Sequence, residues 1–584
     1  MAARRAAGAA LLLLCAGLDA ACTRGKAEEP PPPPQPAARP APAVDPELAA
    51  WRAGRLPPLE GQGTPVPGGE VVVQMYADPP SLNTIVDNDW WGSRITHHLV
   101  YQALVGIDAY DDPRYRFQPE LAESWTLSED KLTYTFHLRK DVRFHDGQPF
   151  GAKDVIATYE KVLDETTKAA HLRSHLEELE SFRAIDEHTV EFVWKKPYFM
   201  ALDDPFAQVP IQPAHVIAKL TGAEYNQAAT NPLNRAPVGT GPFAFVEWKT
   251  DQRVVYRRNE DYWGRKAYLD RLVFRIVKDP TVGPLLAEKG ELDVVTSTLS
   301  EAWVKMEERP ALRENFHRSL FHDATYNWIG WNLARPTFQD RRVRLALTML
   351  IDRERFRKSV LHDLVLPTTC HFYYRSAACD PAVVQPPYDP VAAVKLLEEA
   401  GWRDTDGDGV RERDGVRFAF SFMISASSVT TERLATLMKE SFARAGIEMS
   451  IQKVEWAAFS KRLREHEFDA CTLAWGAGPR VDPAQVWHSS STEGGSNFIS
   501  FSNPEADALI EAGRVEFDEE RRDAIFRKLQ HLLHEEQPYT WLWVPARRTL
   551  IHRRIHGVKA NLAFWQFADW WVEPQAEPPA PAQE

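Results

Sequence analysis

Residues 473–483, LAWGAGPRVDP, follow an apolar run and set Gly476 and Gly478 two apart, ahead of Arg480 and Asp482. Glycines placed this way after a strand can turn backbone N–H groups toward a phosphate, as dinucleotide-binding turns do. The pattern breaks at Val481, where the third glycine belongs. Pro479 also removes a donor from the cradle, and Pro483 comes too soon for a long helix to begin at Gly478. A nucleotide is therefore not the expected guest.

Two other clusters have metal-ligand character. In DTDGDGVRERDG, residues 404–415, Asp404, Asp406 and Asp408 match the first half of a calcium loop. The twelfth position, which needs a bidentate glutamate, is Gly415. The stretch reads as a solvated turn. His531 and His534 lie three apart on a helical pattern, and His97 and His98 are adjacent, yet neither pair has an evident third ligand. No metal is expected. The chain has no Gly-x-Ser-x-Gly elbow, no Gly-Lys-Ser/Thr phosphate loop and no His-Glu-x-x-His helix. Neither catalytic residues nor a cofactor are expected.

With 584 residues the chain exceeds one ordinary core and implies two or three domains. Hydrophobic content of 44% with 19 Trp fits a well-packed globular protein. The net charge of -13 disfavours nucleic acid and anionic membrane as partners.

Residues 1–21 have two arginines, an apolar stretch and small residues before Cys22, the build of an export signal. Ala20-Ala21-Cys22 is similar to a lipoprotein lipobox, with Asp19 where leucine is usual. Cys22 is the expected lipid anchor, and cleavage near Ala21 without acylation is the alternative. Residues 22–67 form a proline-rich linker that cannot bury a core. At roughly 3.1 Å per residue it reaches on the order of 100 Å. Residues 573–584 form a similar loose tail. Export permits disulfides, and Cys370 and Cys379 are a candidate pair closing a small loop; Cys471, in an apolar run, reads as a buried thiol.

The elements that must position any site mix strands and helices. EVVVQMY reads as a strand, and KLTYTFHL alternates Leu132, Tyr134, Phe136 and Leu138 with polar neighbours, as a half-buried strand does. Asp389-Pro390 and Asn503-Pro504 are helix starts. In GTGPF, Gly239 and Gly241 supply freedom for a tight turn before a strand, and HDGQPF at residues 145–150 is a turn rather than a catalytic His-Asp pair.

Three separated stretches carry a resemblance: residues 117–164 (FQPELAESW through EKVLD), 238–264 (VGTGPFAFVEW through YWG), and a third running from YNWIGWNLARPTF at 326 to HEEQPY at 539. Together, in this order, they resemble the solute-binding proteins of bacterial ABC importers, in the extracellular family 5 group of peptide and nickel binders. The resemblance implies an α/β, bilobed periplasmic-binding-protein fold of type II, of the large cluster C type, with an extra domain in the first lobe. Lobe I would comprise residues 68–115 and 233–325, the extra domain 116–232, lobe II 326–541, and the return to lobe I 542–572. Crossovers would fall near residues 325–331 and 541–546.

The implied function is the substrate-binding component of an ABC importer. It would capture a peptide or similar small solute between the lobes and deliver it to permease subunits in the inner membrane, as an exported monomer touching the membrane only through its anchor. A nickel chelate, a glycan, an opine, or a sensor or chaperone-like role remains open, whereas an exported hydrolase lacks a nucleophile–base motif. Ligand contacts are expected from Asp87, Asn88, Asp89 and Trp90 in the loop after PPSLN, and from Trp475, Gly476, Gly478, Arg480 and Asp482. Peptide-binding members carry an ammonium-pairing aspartate shortly after this tryptophan; here the aligned position is Gly478. Arg480 favours a ligand carboxylate or phosphate, unless it pairs with Asp482 or faces water. Mass spectrometry of the mature N-terminus should find acylated Cys22 as its first residue, and an unmodified soluble product would exclude the anchor.

Overall fold

The computed structural model describes residues 63–108, 114–296, 300–322, 324–558 and 566–573. The export signal, Cys22, the linker up to residue 62 and the tail from residue 574 lie outside the described residues.

Three sheets organise the molecule. Glu70–Met75 lies inside a seven-stranded mixed sheet, flanked in parallel by Arg271–Ile276 and Val294–Val295. Val71, Val73 and Met75 are fully buried, as befits an apolar strand covered on both faces. Gln74 is buried beside them, but its amide is satisfied by Val277 O and Thr296 N. A four-stranded antiparallel sheet carries the alternating strand Thr133–Leu138, whose Tyr134, Phe136 and Leu138 are buried. The third sheet has five strands, ordered Glu448–Val454, Ala419–Ser425, Ala470–Gly476, Thr325–Trp331 and Tyr539–Trp541.

The chain passes between the seven- and five-stranded sheets twice. Phe316–His322 ends in the first and Thr325–Trp331 begins in the second; Tyr539–Trp541 ends in the second and Ala546–His552 belongs to the first. The result is the bilobed α/β fold, with the four-stranded sheet as an additional unit. Helices begin where their caps predict: Asp389 accepts from Ala392 N ahead of Pro390–Glu399, and Asn503 from Glu505 N and Ala506 N ahead of Pro504–Arg514.

The GTGPF glycines serve a different purpose from the expected one. Neither Gly239 nor Gly241 has a positive φ. Each is small because another backbone passes against it: a Cβ on Gly239 would lie 1.9 Å from Val100 O, and one on Gly241 2.4 Å from Leu99 O. That contact is hydrogen-bonded, Gly241 N to Val100 O and Phe243 N to Leu99 O, both at 2.9 Å. The HDGQPF turn, with Gly147 at φ +85°, docks on the same segment through His145 Nε2 and Gly241 O at 3.0 Å.

Cys370 and Cys379 form a disulfide, and Cys471 is a free, fully buried thiol whose pKa is pushed up by burial. The disulfide loop is seated by His371, whose Nδ1 pairs with Tyr326 OH at 2.7 Å, and by Phe372 stacked on Phe526 at 4.9 Å. Closing so short a loop restricts the unfolded chain by about 2–3 kcal/mol. Urea unfolding of Cys379→Ser should show a stability loss of about that size, with reductant destabilising the native protein but not the variant.

Candidate functional site

A cavity of about 850 Å³ lies between the helix Trp90–Thr96, the paired strands Val105–Ile107 and Phe117–Pro119, the segments around His171 and Asp203, and the loop after Ala470–Gly476. Of the expected ligand residues it takes Asn88, Gly478 and Arg480. It is also walled by His97, His98, Glu120, Tyr262 and Asp203, none of which the sequence reading singled out as ligand contacts. Its volume lies within the usual range for small-molecule sites.

The loop at residues 84–92 turns into the helix Trp90–Thr96, and this shapes its side chains. Asp89 caps the helix, accepting from Trp91 N and Gly92 N at 2.9 Å, and Asp87 accepts from Asp89 N at 2.9 Å. Both carboxylates thus hold backbone amides. Trp90 stacks with Tyr76 at 5.9 Å, and the guanidinium carbons of Arg94 and Arg547 lie 4.2 and 4.7 Å from its ring centroid. Protein cations occupy the kind of contact a ligand cation would make there.

On the five-stranded sheet, Trp475 stacks with Trp328 at 5.8 Å and Phe498 at 5.6 Å, and donates from Nε1 to Tyr539 OH at 3.1 Å. Trp328 in turn stacks on Tyr539, with the ring planes nearly parallel and the centroids 4.1 Å apart. Trp475 belongs to this aromatic layer and Gly476 ends the strand, and neither lines the cavity.

Arg480 finds its partner far away in sequence. Its Nε donates to Asp203 Oδ2 at 2.5 Å, and Nη1 donates to the carbonyls of Arg114 and Tyr115 at 3.0 and 2.9 Å. Its guanidinium also lies 4.1 Å from the Phe117 ring centroid. Asp482, the partner suggested by proximity, is otherwise engaged. Its Oδ1 accepts from Ala484 N at 2.9 Å, and its Oδ2 accepts from Tyr198 OH at 2.9 Å and Arg514 Nε at 2.8 Å.

Histidines give the cavity its titratable character. His97 shares a hydrogen bond with Thr84 Oγ1 at 2.9 Å, and His171 with Thr84 O at 3.1 Å. Burial, helped by the neighbouring His98 and His171, lowers the His97 pKa to about 3. His98 behaves oppositely: desolvation would lower its pKa, but the hydrogen bond and charge of Glu120 outweigh that and raise it. Glu120 Oε2 is held by Ala103 N at 2.9 Å, which fixes the carboxylate against the cavity wall.

Elsewhere, Asp404, Asp406, Asp408 and Glu412 bring carboxylate oxygens within 4.8 Å of one another. The fourth acid comes from the ninth position of the loop rather than the twelfth. All four side chains accept hydrogen bonds within the loop, and Arg417 pairs with Asp408, as in a charged surface turn. His531 bonds Asp380 Oδ2 at 2.9 Å. Among the described residues, no helix is long and apolar enough to cross a membrane.

The comparisons with known proteins agree with this architecture. Residues 116–497 match the model of bacterial extracellular solute-binding proteins, family 5 Middle, and the chain belongs to that family. It is 27% identical to the oligopeptide-binding protein AppA of Bacillus subtilis over 519 residues, covering 87% of this chain and 93% of that protein. It is 29% identical to di/tripeptide-binding protein 2 of Pseudomonas aeruginosa over 482 residues, covering 78% and 85%. The solved structure of the Bacillus subtilis protein with a nonapeptide superposes with a TM-score of 0.74, at 26% identity, covering 87% of this chain and all of that one.

The His97 shift has a measurable consequence. Unfolded, His97 titrates near 6.5; folded, it stays neutral down to about 3. Between those values the unfolded chain binds the extra proton, so this group's contribution to stability is present above 6.5 and lost as pH falls, by about 1.4 kcal/mol per pH unit. His98, raised in pKa, acts in the other direction, favouring the fold below 6.5 and losing that contribution as pH rises through its raised value. Urea unfolding of His97→Gln should therefore give a stability-versus-pH slope shallower than that of the native protein by about 1.4 kcal/mol per unit below 6.5.

Proposed function

We propose that this chain is the substrate-binding component of an ABC importer, held at the cell envelope through Cys22, and that its solute is a peptide or a compact molecule with peptide-like polar ends. The observation that carries this reading is the cavity of about 850 Å³ at the junction of the lobes, walled by Asn88, Gly478 and Arg480 within a family of solute-binding proteins. Asn88, the glycine-bearing turn and the Glu120–His98 pair offer donors and acceptors of both signs, which suits a zwitterion. The ammonium of such a solute is met at the Glu120 wall rather than at position 478, where a glycine stands. The protein acts by burying its solute and by favouring the closed arrangement of the lobes, which needs no nucleophile. Its partner is a membrane permease that reads the closed form.

Thermal-shift titration of the full mature chain with dipeptides, tripeptides and longer peptides, beside free amino acids, sugars and nickel–histidine, tests this reading. A bound peptide at a hundredfold excess over its dissociation constant should stabilise the fold by about 2.7 kcal/mol. Stabilisation by nickel–histidine or sugar but by no peptide would overturn the peptide reading, and silence from every solute would overturn the transport reading.

A further inference from the structure

Arg480 and Asp203 are 277 residues apart in the chain and belong to different parts of the molecule. Arg480 follows the Ala470–Gly476 strand of the five-stranded sheet, whereas Asp203 follows the short helix Phe199–Leu202 beside the four-stranded unit. Their side chains are 13% and 8% exposed, so the pair is almost fully withdrawn from water. A second polar contact runs parallel to it, from Tyr198 OH to Asp482 Oδ2, with Arg514 bonded to the same carboxylate and lying 5.1 Å from the Tyr198 ring centroid. Phe199 meets Phe526 edge-on at 6.0 Å alongside them. The seam between the four-stranded unit and the second lobe thus sets these charge and hydroxyl contacts beside an apolar cluster that includes Phe199 on one side and Phe526 on the other. The charged groups regain hydration when the seam parts, unlike the apolar ones, so the part of the seam at the cavity is the part that can open and reclose most readily.

Both Asp203 and Arg480 also line the cavity. We propose that the Arg480–Asp203 pair is a bolt that closes the second lobe over the cavity using protein groups alone, and that solute is admitted only while the bolt is drawn. The three other interactions of the guanidinium, with the carbonyls of residues 114 and 115 and with Phe117, set its position on the far side of the seam. A lysine there cannot satisfy a carboxylate and two carbonyls in one plane, which is the work of the guanidinium fork.

The test measures lobe separation with no solute present, so its outcome does not depend on whether peptides bind. Spin labels are placed at the exposed positions Ile185→Cys in the four-stranded unit and Val391→Cys in the second lobe, in chain stripped of bound solute by unfolding and refolding. Double electron–electron resonance should find the native protein mostly in a short-distance population. Arg480→Ala and Asp203→Asn should each lower the ratio of short to long populations at least tenfold, on the order expected for truncating a buried charge pair. Asp203→Asn is isosteric and carries the test alone if Arg480→Ala does not fold. Indistinguishable distance distributions in native and variant proteins, or a native protein as widely open as the variants, would overturn the proposal.

Discussion

Two crossings of the backbone tie the seven-stranded sheet to the five-stranded one, and the rest of the architecture follows from them. The outgoing passage has only residues 323 and 324 between strand ends, and the return runs from Trp541 to Ala546. The return is braced where Trp543–Val544 pairs with Leu366–Pro367 and where Gln385 Nε2 donates to Leu542 O at 2.6 Å. With links this short, rotation of one lobe against the other is absorbed in a few dihedrals, the behaviour of a hinge. The loop that carries Arg480 starts beside the outgoing crossing, where Gly476 pairs with Thr325 and Ala477 N donates to Ala324 O at 2.7 Å, so rotation there bears directly on the Arg480–Asp203 contact.

The scaffold was legible in the sequence because its determinants are local. Alternation in Thr133–Leu138 reports burial on one face, and Asp389-Pro390 and Asn503-Pro504 report helix starts, all within a few residues of the element they specify. The glycines of GTGPF mark the limit of that reasoning. Their smallness was visible, but its cause was not, because the carbonyls of Leu99 and Val100 that press on them come from some 140 residues earlier.

The site was only partly legible, for the same reason carried further. Asn88, Gly478 and Arg480 were reached through a resemblance in position, whereas Asp203, Glu120 and the histidines were not, since no spacing rule links residue 203 to residue 480. Side chains that looked available proved committed to other protein groups: Asp87 and Asp89 to amides of their own loop, Trp475 to an aromatic layer, Asp482 to Ala484 and to the distant Tyr198. An acidic or aromatic residue in a loop is often spent on holding the loop. The signal that separates the two uses is the count of acceptor positions left after the backbone is served, and that count needs coordinates.

A clamp of this kind trades affinity against access. If the closed form is rare without solute, each binding event must supply the free energy of closure, and the apparent affinity falls by the closed fraction. If the closed form dominates, that loss vanishes but the cavity is hidden and association slows. An ion pair at the seam sets this balance with little effect on either lobe's own fold, because its members sit at the ends of a turn and a short helix rather than in a sheet. Asp203 is also positioned to sense what lies in the cavity, since a solute group that pairs with it must displace Arg480 and thereby weaken closure. Solutes that leave the pair intact are enclosed and those that compete with it are not, so the same contact that shuts the clamp discriminates among cationic guests.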